Sequence, residues 1–159
     1  MYADALLYLS GAAVGGNSTS FAAQSPLPVA GTPVISTNVI DLGTARDMGE
    51  GTPLFVRMQV QTAYTLLTSL TVEAIYSSDS ASTANIIVAG STTILLAALV
   101  ANARFAFAIN PLIGSKAQRF LAVRYSTVGA TPGAGSVVTG IGEDIQDGQT
   151  FYATGTAVI

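Results

Sequence analysis

Residues 36–53 have the sequence STNVIDLGTARDMGEGTP, which predicts a strand, then a structured charged loop, then a second strand. Gly43 interrupts the apolar run, and four charged side chains lie close together here in a chain that has few others. Two glycines later in the loop can adopt a positive φ without steric cost. Pro53 suits the first residue of the next strand, where a missing N–H is tolerated.

Alternating apolar and polar residues predict strands on the C-terminal side of the loop. The alternation is clearest in four segments, which are residues 54–61, 70–76, 104–109 and 120–125. Shorter apolar segments predict further strands at 2–9, 85–89 and 135–141, with Gly90 closing the strand at 85–89. Residues 94–99 fit either a strand or one short helix, and residues 129–133 are typical of a hairpin loop.

About eight or nine short strands, separated by turn residues and with almost no helical periodicity, predict an all-β protein. We expect a jelly-roll-like antiparallel β-sandwich with an extended N-terminal loop and a C-terminal tail. An immunoglobulin-like sandwich is the alternative, since the pattern does not give the strand order. The 159 residues suffice for one domain whose core needs no disulfide or metal.

Two segments lack a core-forming pattern. Residues 10–33, rich in Gly, Ser and Pro, predict an extended loop or arm within a domain spanning residues 1–142. The apolar residues of this arm either anchor on a neighbouring subunit or belong to a flexible linker. Residues 143–159 begin with an acidic cluster and continue with an aromatic pair, which predicts a C-terminal interaction tail. Such a tail could add as a strand to the sheet edge of a neighbour.

The composition restricts the classes of function. Only 9% of the residues are charged, which gives a lone domain little colloidal protection and favours life inside an assembly. A secreted or virion-surface domain coated with Ser and Thr is the alternative. The net charge of −3, with scattered basic residues, argues against nucleic-acid binding. No apolar run is long enough to cross a bilayer, and no signal peptide is recognised.

Catalytic and metal-binding patterns are weak. Cysteine and histidine are both absent, which removes thiolate and imidazole ligands and the commonest general base. Lys116, the sole lysine, is poorly placed to activate a serine. Paired carboxylates such as Asp41 with Asp47 are better explained as turn caps, and the acidic cluster at 143–147 lacks the spacing of a calcium loop. We therefore expect no enzymatic activity, no metal and no cofactor.

The charged loop also resembles a known family. The matching pattern is STNVIDLG at 36–43, then ARD at 45–47, Gly49, Gly51 and Pro53-Leu54. It is similar to the capsid cement (decoration) proteins of tailed bacteriophages, of the Bordetella-phage type. A second, less specific match is RFLAVRY at 119–125, and the resemblance spans roughly residues 34–142. The arm at 10–33 is longer than the family pattern needs.

The resemblance implies a structural virion protein that binds the outer surface of a phage capsid in many copies. There it would stabilise contacts between major capsid protein subunits, after synthesis in the host bacterial cytoplasm. The implied partners are the major capsid protein and further copies of the chain, with a homodimer slightly favoured over a trimer, and neither nucleic acid nor a membrane. A carbohydrate-binding or tail-associated β-sandwich module is the alternative.

Six residues are candidates for partner contacts, namely Arg46, Asp47, Arg57, Arg124, Phe151 and Tyr152. The arginines in strand-like segments either guard a sheet edge or contact another chain. In the charged loop, Arg46 beside Asp47 forms either a partner contact or a salt bridge within the loop. The aromatic pair would anchor the tail.

Overall fold

The computed structural model describes residues 8–13, 21–45, 54–110 and 118–142. These residues contain no α-helix, and a short 3-10 helix (Leu96–Ala98) joins the eighth strand to the ninth. The strands in chain order are β1 (Tyr8–Ser10), β2 (Ala12–Ala13), β3 (Phe21–Ala22), β4 (Val34–Ile35), β5 (Ile40–Asp41), β6 (Leu54–Thr62), β7 (Leu67–Ser77), β8 (Ile87–Leu95), β9 (Arg104–Ile109), β10 (Phe120–Gly129) and β11 (Ser136–Gly142).

Nine of the eleven described strands form two antiparallel sheets that pack as a sandwich, and β2 and β3 form a separate pair. The four-stranded sheet has the order β1-β11-β6-β9, and the five-stranded sheet has the order β4-β10-β7-β8 with β5 also paired to β10. Because β4 and β5 both pair with β10, they act as one interrupted strand. Counting them once gives eight main strands in the sheet orders 1-8-3-6 and 2-7-4-5. This is the order of a jelly roll, so the predicted fold class is confirmed.

The core lies between the two sheets and is built by the predicted alternation. The inward residues of the longest strands are almost fully buried, which removes their apolar surface from water. They are Val56, Met58 and Val60 from β6, Leu70, Val72, Ala74 and Tyr76 from β7, and Leu121, Val123 and Tyr125 from β10. The predicted inward faces of these three strands are therefore confirmed.

The prediction that Gly90 closes a strand is wrong, because β8 continues through it to Leu95. Gly90 pairs with Ala74 beside a β-bulge, and a Cβ built on it would overlap the carbonyl oxygen of Ala108 in β9. Next to it, the Asn110 N–H donates to the Ala89 carbonyl at 2.7 Å. The glycine therefore allows edge strands of the two sheets to approach each other.

The prediction of a hairpin loop at residues 129–133 is also wrong. These residues begin the connection between β10 and β11, which belong to different sheets, so the chain crosses from one layer to the other. At the end of this connection Gly135 has a φ of 146°, and a Cβ there would overlap the ring of Tyr64. The glycine content therefore serves a crossing between sheets.

The described part of the predicted arm packs against its own sandwich. Its short strands β2 and β3 pair with each other. Gln24 exchanges two backbone hydrogen bonds with Val137 of β11, at 3.0 and 2.8 Å. The Tyr64 hydroxyl donates to the Pro26 carbonyl at 3.3 Å. The first predicted strand, at residues 2–9, is described only from Tyr8 onward.

Candidate partner interface

The first half of the charged stretch builds the break between β4 and β5. The Ser36 N–H donates to the Val123 carbonyl at 2.7 Å, and the Val123 N–H donates back to the Ser36 hydroxyl oxygen at 3.0 Å. The same hydroxyl donates to the Asn38 carbonyl at 2.8 Å. Serine thus satisfies backbone groups of β10 where the regular ladder is interrupted.

Asn38 joins this break to the other sheet. Its backbone N–H donates to the Leu9 carbonyl at 2.8 Å, and its side-chain amide donates to the carbonyls of Tyr8 and Gly11, both at 3.2 Å. These bonds fasten β1, the edge strand of the four-stranded sheet, to the interrupted edge strand of the five-stranded sheet. An edge closed in this way offers fewer groups for pairing with another chain.

Asp41 links the two stretches that carry the family resemblance. Its carboxylate accepts two hydrogen bonds from Arg119, at 2.7 and 2.6 Å, and a third from the Gly43 N–H at 2.8 Å. Arg119, and then the Gly43 N–H, lower the pKa of Asp41 to about 2. The Arg119 guanidinium also lies 5.1 Å from the centre of the Phe120 ring. The two motifs therefore hold each other together in the fold.

Arg124 lies on the outer face of the five-stranded sheet. It is directly opposite Glu73 in the β7–β10 ladder, and its Nε lies 2.7 Å from a Glu73 carboxylate oxygen. Both side chains are about one-fifth exposed, at 21% and 17%. A shallow groove beside the pair is lined by Val29, Pro33 and Ser126. The charge of this interface candidate is thus balanced within the chain.

Arg57 lies on the outer face of the four-stranded sheet, between Gly140 of β11 and Ala106 of β9. Its guanidinium lies against Gly142, where a Cβ would be 3.2 Å from the Arg57 Cζ. Arg104, at the start of β9, is exposed on the same face, opposite Gln59. The small residues around Arg57 leave room for its guanidinium to lie along the sheet.

The acidic residues in the described part of the chain lie elsewhere than Arg57 and Arg104. The described carboxylates are Asp41 in β5, Glu73 in β7 and Asp79 in the loop after β7. Asp79 accepts hydrogen bonds from the Ala84 N–H first of all, and then from the Thr83 hydroxyl and the Thr83 N–H, and these bonds lower its pKa. All three carboxylates belong to the five-stranded sheet or its loop. Within the described ranges, the outer face of the four-stranded sheet therefore carries two arginines and no carboxylate.

The structure places the two described interface candidates far apart. Arg57 and Arg124 lie on the outer faces of opposite sheets. Arg46, Asp47, Phe151 and Tyr152 lie outside the described residues, so their roles stay predictions.

Sequence reasoning missed an apolar surface at one end of the five-stranded sheet. Leu66, Leu95 and Val128 are 68%, 64% and 57% exposed, and we call these three residues the apolar rim. Leu95 of β8 and Val128 of β10 both pair with Ser69 of β7, and Leu66 immediately precedes β7. The one available signal was the apolar run at residues 94–101, which continues beyond the end of β8.

The remaining features of the described residues concern metal ligands, buried hydroxyls and membrane spans. It contains no group of three or more acidic or other metal-ligating side chains that could hold a metal ion. Its most buried hydroxyl network joins Tyr125 to Ser10 and Thr139 inside the core, away from any surface. Within the same residues, no helix is long and apolar enough to cross a membrane.

Comparison with known proteins identifies the family. The Bbp16 family model matches residues 28–141, which is most of the chain. The chain belongs to the Bbp16 family. Bbp16 is a family of Bordetella phage proteins, and membership is consistent with a phage structural protein and suggests a virion component. No curated protein matches the chain.

Proposed function

We propose that this Bbp16-family protein decorates the phage capsid, binding its outer surface in many copies and stabilising contacts between major capsid protein subunits. The observation that carries this proposal is the family match over residues 28–141. That range includes every strand of the sandwich except β1. The matched part is therefore nearly the whole folded body.

The internal bonding of the sandwich supports a binding role. Ser36, Asn38 and Asp41 direct their polar groups to backbone or side chains of the same domain. A scaffold held in this way loses little conformational freedom when it binds, so more of the contact energy contributes to affinity. Many copies on one shell would add to this, because linked contacts raise the effective concentration of each other by a factor of about 10² to 10⁴.

The outer face of the four-stranded sheet is the proposed capsid-binding surface. Arg57 and Arg104 both lie on this face, and Arg104 is exposed there. Its central positions are small, with Gly140 and Ala106 flanking Arg57. Arginine side chains on such a face can contact an acidic surface on the capsid subunit. Arginine can also bind carboxylates with two hydrogen bonds at once.

Co-sedimentation with capsids of the same phage that lack this protein tests the proposal. Saturable, stoichiometric pelleting is expected. A folded protein that stays in the supernatant would refute capsid decoration and favour a glycan-binding or tail-associated module.

Two matched variants test the surface. Arg104→Gln and Thr93→Glu each change the formal net charge by one, from −3 to −4. Arg104 lies on the proposed surface, whereas Thr93 is exposed on the five-stranded sheet. We expect Arg104→Gln to weaken pelleting several-fold and to reduce its salt dependence, while Thr93→Glu pellets like the unaltered protein. Equal behaviour of the two variants would refute this choice of face.

A further inference from the structure

Two side chains of the apolar rim, Leu95 and Val128, form aliphatic walls on either side of a buried residue. Leu95 and Val128 lie on either side of Ser69, across three neighbouring strands. Ser69 is buried between them, whereas both walls are more than half exposed. Because neighbouring strands are about 4.8 Å apart, the walls stand roughly 10 Å from each other. That width admits one extended segment or one aromatic ring.

The third rim residue is held outward by its backbone. Leu66 has a φ of 74°, a left-handed conformation that costs a bulky residue roughly 1–2 kcal/mol. The turn is fixed by hydrogen bonds from the Thr65 N–H to the Ala134 carbonyl and from the Gly133 N–H to the Thr65 carbonyl, at 3.3 and 3.2 Å. The Leu66 side chain lies against Gly133, which has none. Strain of this kind persists only where the surrounding structure imposes it.

The rim has no charged residue beside it on its own sheet. The next row along the ladder consists of Ser126, Thr71 and Thr93, and the Arg124–Glu73 pair lies one row further away. A charged segment would lose hydration here without gaining an ion pair. The chemistry of the rim therefore fits an uncharged segment that carries large apolar side chains.

The chain itself carries such a segment. Residues 149–159 read QTFYATGTAVI, with no charged side chain and with Phe151 and Tyr152 near the start. These residues follow β11, which ends at Gly142. Gly142 pairs with Phe55, whereas the start of β11 pairs with Thr62, beside the rim. The chain thus leaves the sandwich at the end opposite to the rim.

We propose that residues 149–159 of one copy bind the apolar rim of a second copy. The eleven residues of β7 measure about 37 Å, so a tail would have to double back along the sandwich to reach its own rim. The rim of a second copy can lie beside the point where the chain leaves the first copy, so no doubling back is needed. Reciprocal exchange of tails between two copies would fill both rims and close a homodimer.

The inference deepens the proposed decoration role by naming a contact between copies, but its test needs no capsid. Three variants of the chain are compared with the unaltered protein. The variants are a deletion of residues 149–159, the double substitution Leu95→Gln with Val128→Thr, and the control Val88→Thr. Val88 is an exposed apolar residue of the same strand β8, 43% exposed, but it pairs with Ile75 far from the rim.

Sedimentation velocity at about 100 μM is suited to the expected affinity, since an interface much smaller than the standard ~800 Å² per partner is weak. We expect the unaltered protein and Val88→Thr to self-associate. The tail deletion and the rim double variant should self-associate at least tenfold more weakly, with unchanged circular dichroism. Equal self-association of all four proteins, or a monomeric unaltered protein, would overturn the inference.

A mixture distinguishes exchange between copies from folding back within one. The tail-deleted protein keeps an intact rim, and the rim double variant keeps an intact tail. Mixed in equal amounts, they should form a one-to-one complex that neither forms alone. No complex would overturn the exchange between copies. Because capsids are absent, this result is independent of co-sedimentation, so either proposal can fail without the other.

Discussion

The Tyr125 hydroxyl provides a direct test of what holds the two sheets together. Tyr125 belongs to β10 of the five-stranded sheet, and its oxygen lies 2.6 Å from the Ser10 hydroxyl and 2.7 Å from the Thr139 hydroxyl. Ser10 and Thr139 belong to β1 and β11 of the other sheet. All three residues are fully buried. The network is therefore a polar link across an otherwise apolar core.

Tyr125→Phe would remove the central oxygen and leave the Ser10 and Thr139 hydroxyls without this partner. A buried hydroxyl deprived of its hydrogen bond destabilises the fold by about 1–3 kcal/mol. We expect the free energy of unfolding to fall by about 2–4 kcal/mol, a large share of the roughly 5–15 kcal/mol typical of a domain. Urea unfolding followed by circular dichroism measures it, with an unchanged m-value.

A combined variant is the control. Replacing Tyr125 by Phe, Ser10 by Ala and Thr139 by Val removes every member of the network, and such concerted apolar replacement is close to neutral. We expect the triple variant to regain at least half of the stability lost in Tyr125→Phe. A loss below about 0.5 kcal/mol in the single variant would refute the link between sheets. A triple variant as unstable as the sum of its single changes would show that the hydroxyls act independently.

Three further outcomes follow from the structure. Stability should fall as pH rises from about 10 through about 12, because burial raises the folded pKa of Tyr125 to about 12 while the unfolded chain ionises near 10. Tyr125→Phe should make this fall in a urea-midpoint profile shallower without abolishing it, because burial also raises the pKa of Tyr64 and of Tyr8. An NMR titration should place the pKa of Asp41 at about 2. The stability that this carboxylate contributes is therefore present above about pH 4 and lost as pH falls through 2. Arg119→Gln should raise the pKa of Asp41 toward 3.8. Gly90→Ala should lower the free energy of unfolding by about 3 kcal/mol, since the backbone of Ala108 blocks the new methyl group. A Cβ at Gly31 would have nothing within 4 Å, but the φ there is 80°, so Gly31→Ala should lower the free energy of unfolding by only about 1 kcal/mol in the same urea experiment.

The alternation of apolar residues predicted β6, β7 and β10 well because each of these strands buries one face. The same reasoning failed at Gly90, since the reason for the glycine is a carbonyl of Ala108 on another strand. A local pattern reports which face of a strand is buried. It does not report which backbone passes close to it.

The candidate interface was harder to predict for a related reason. Arg124 looked available in the sequence because its partner, Glu73, is 51 residues away and becomes its neighbour only through the β7–β10 register. The apolar rim is assembled in the same way, from Leu66, Leu95 and Val128 at the ends of different strands. Each is an ordinary residue alone, and only the ladder makes them a surface.

The two sheets of the sandwich therefore differ in what they offer a partner. On the five-stranded sheet, the described carboxylates of Asp41 and Glu73 bind Arg119 and Arg124. The four-stranded sheet carries Arg57 and Arg104 on its outer face, whereas the apolar rim lies at one end of the five-stranded sheet, around Ser69 of β7. A protein built this way can bind a shell through a face while its copies bind each other through an end. Because the two contacts use different residues and different chemistry, added salt should weaken binding to the shell far more than association between copies.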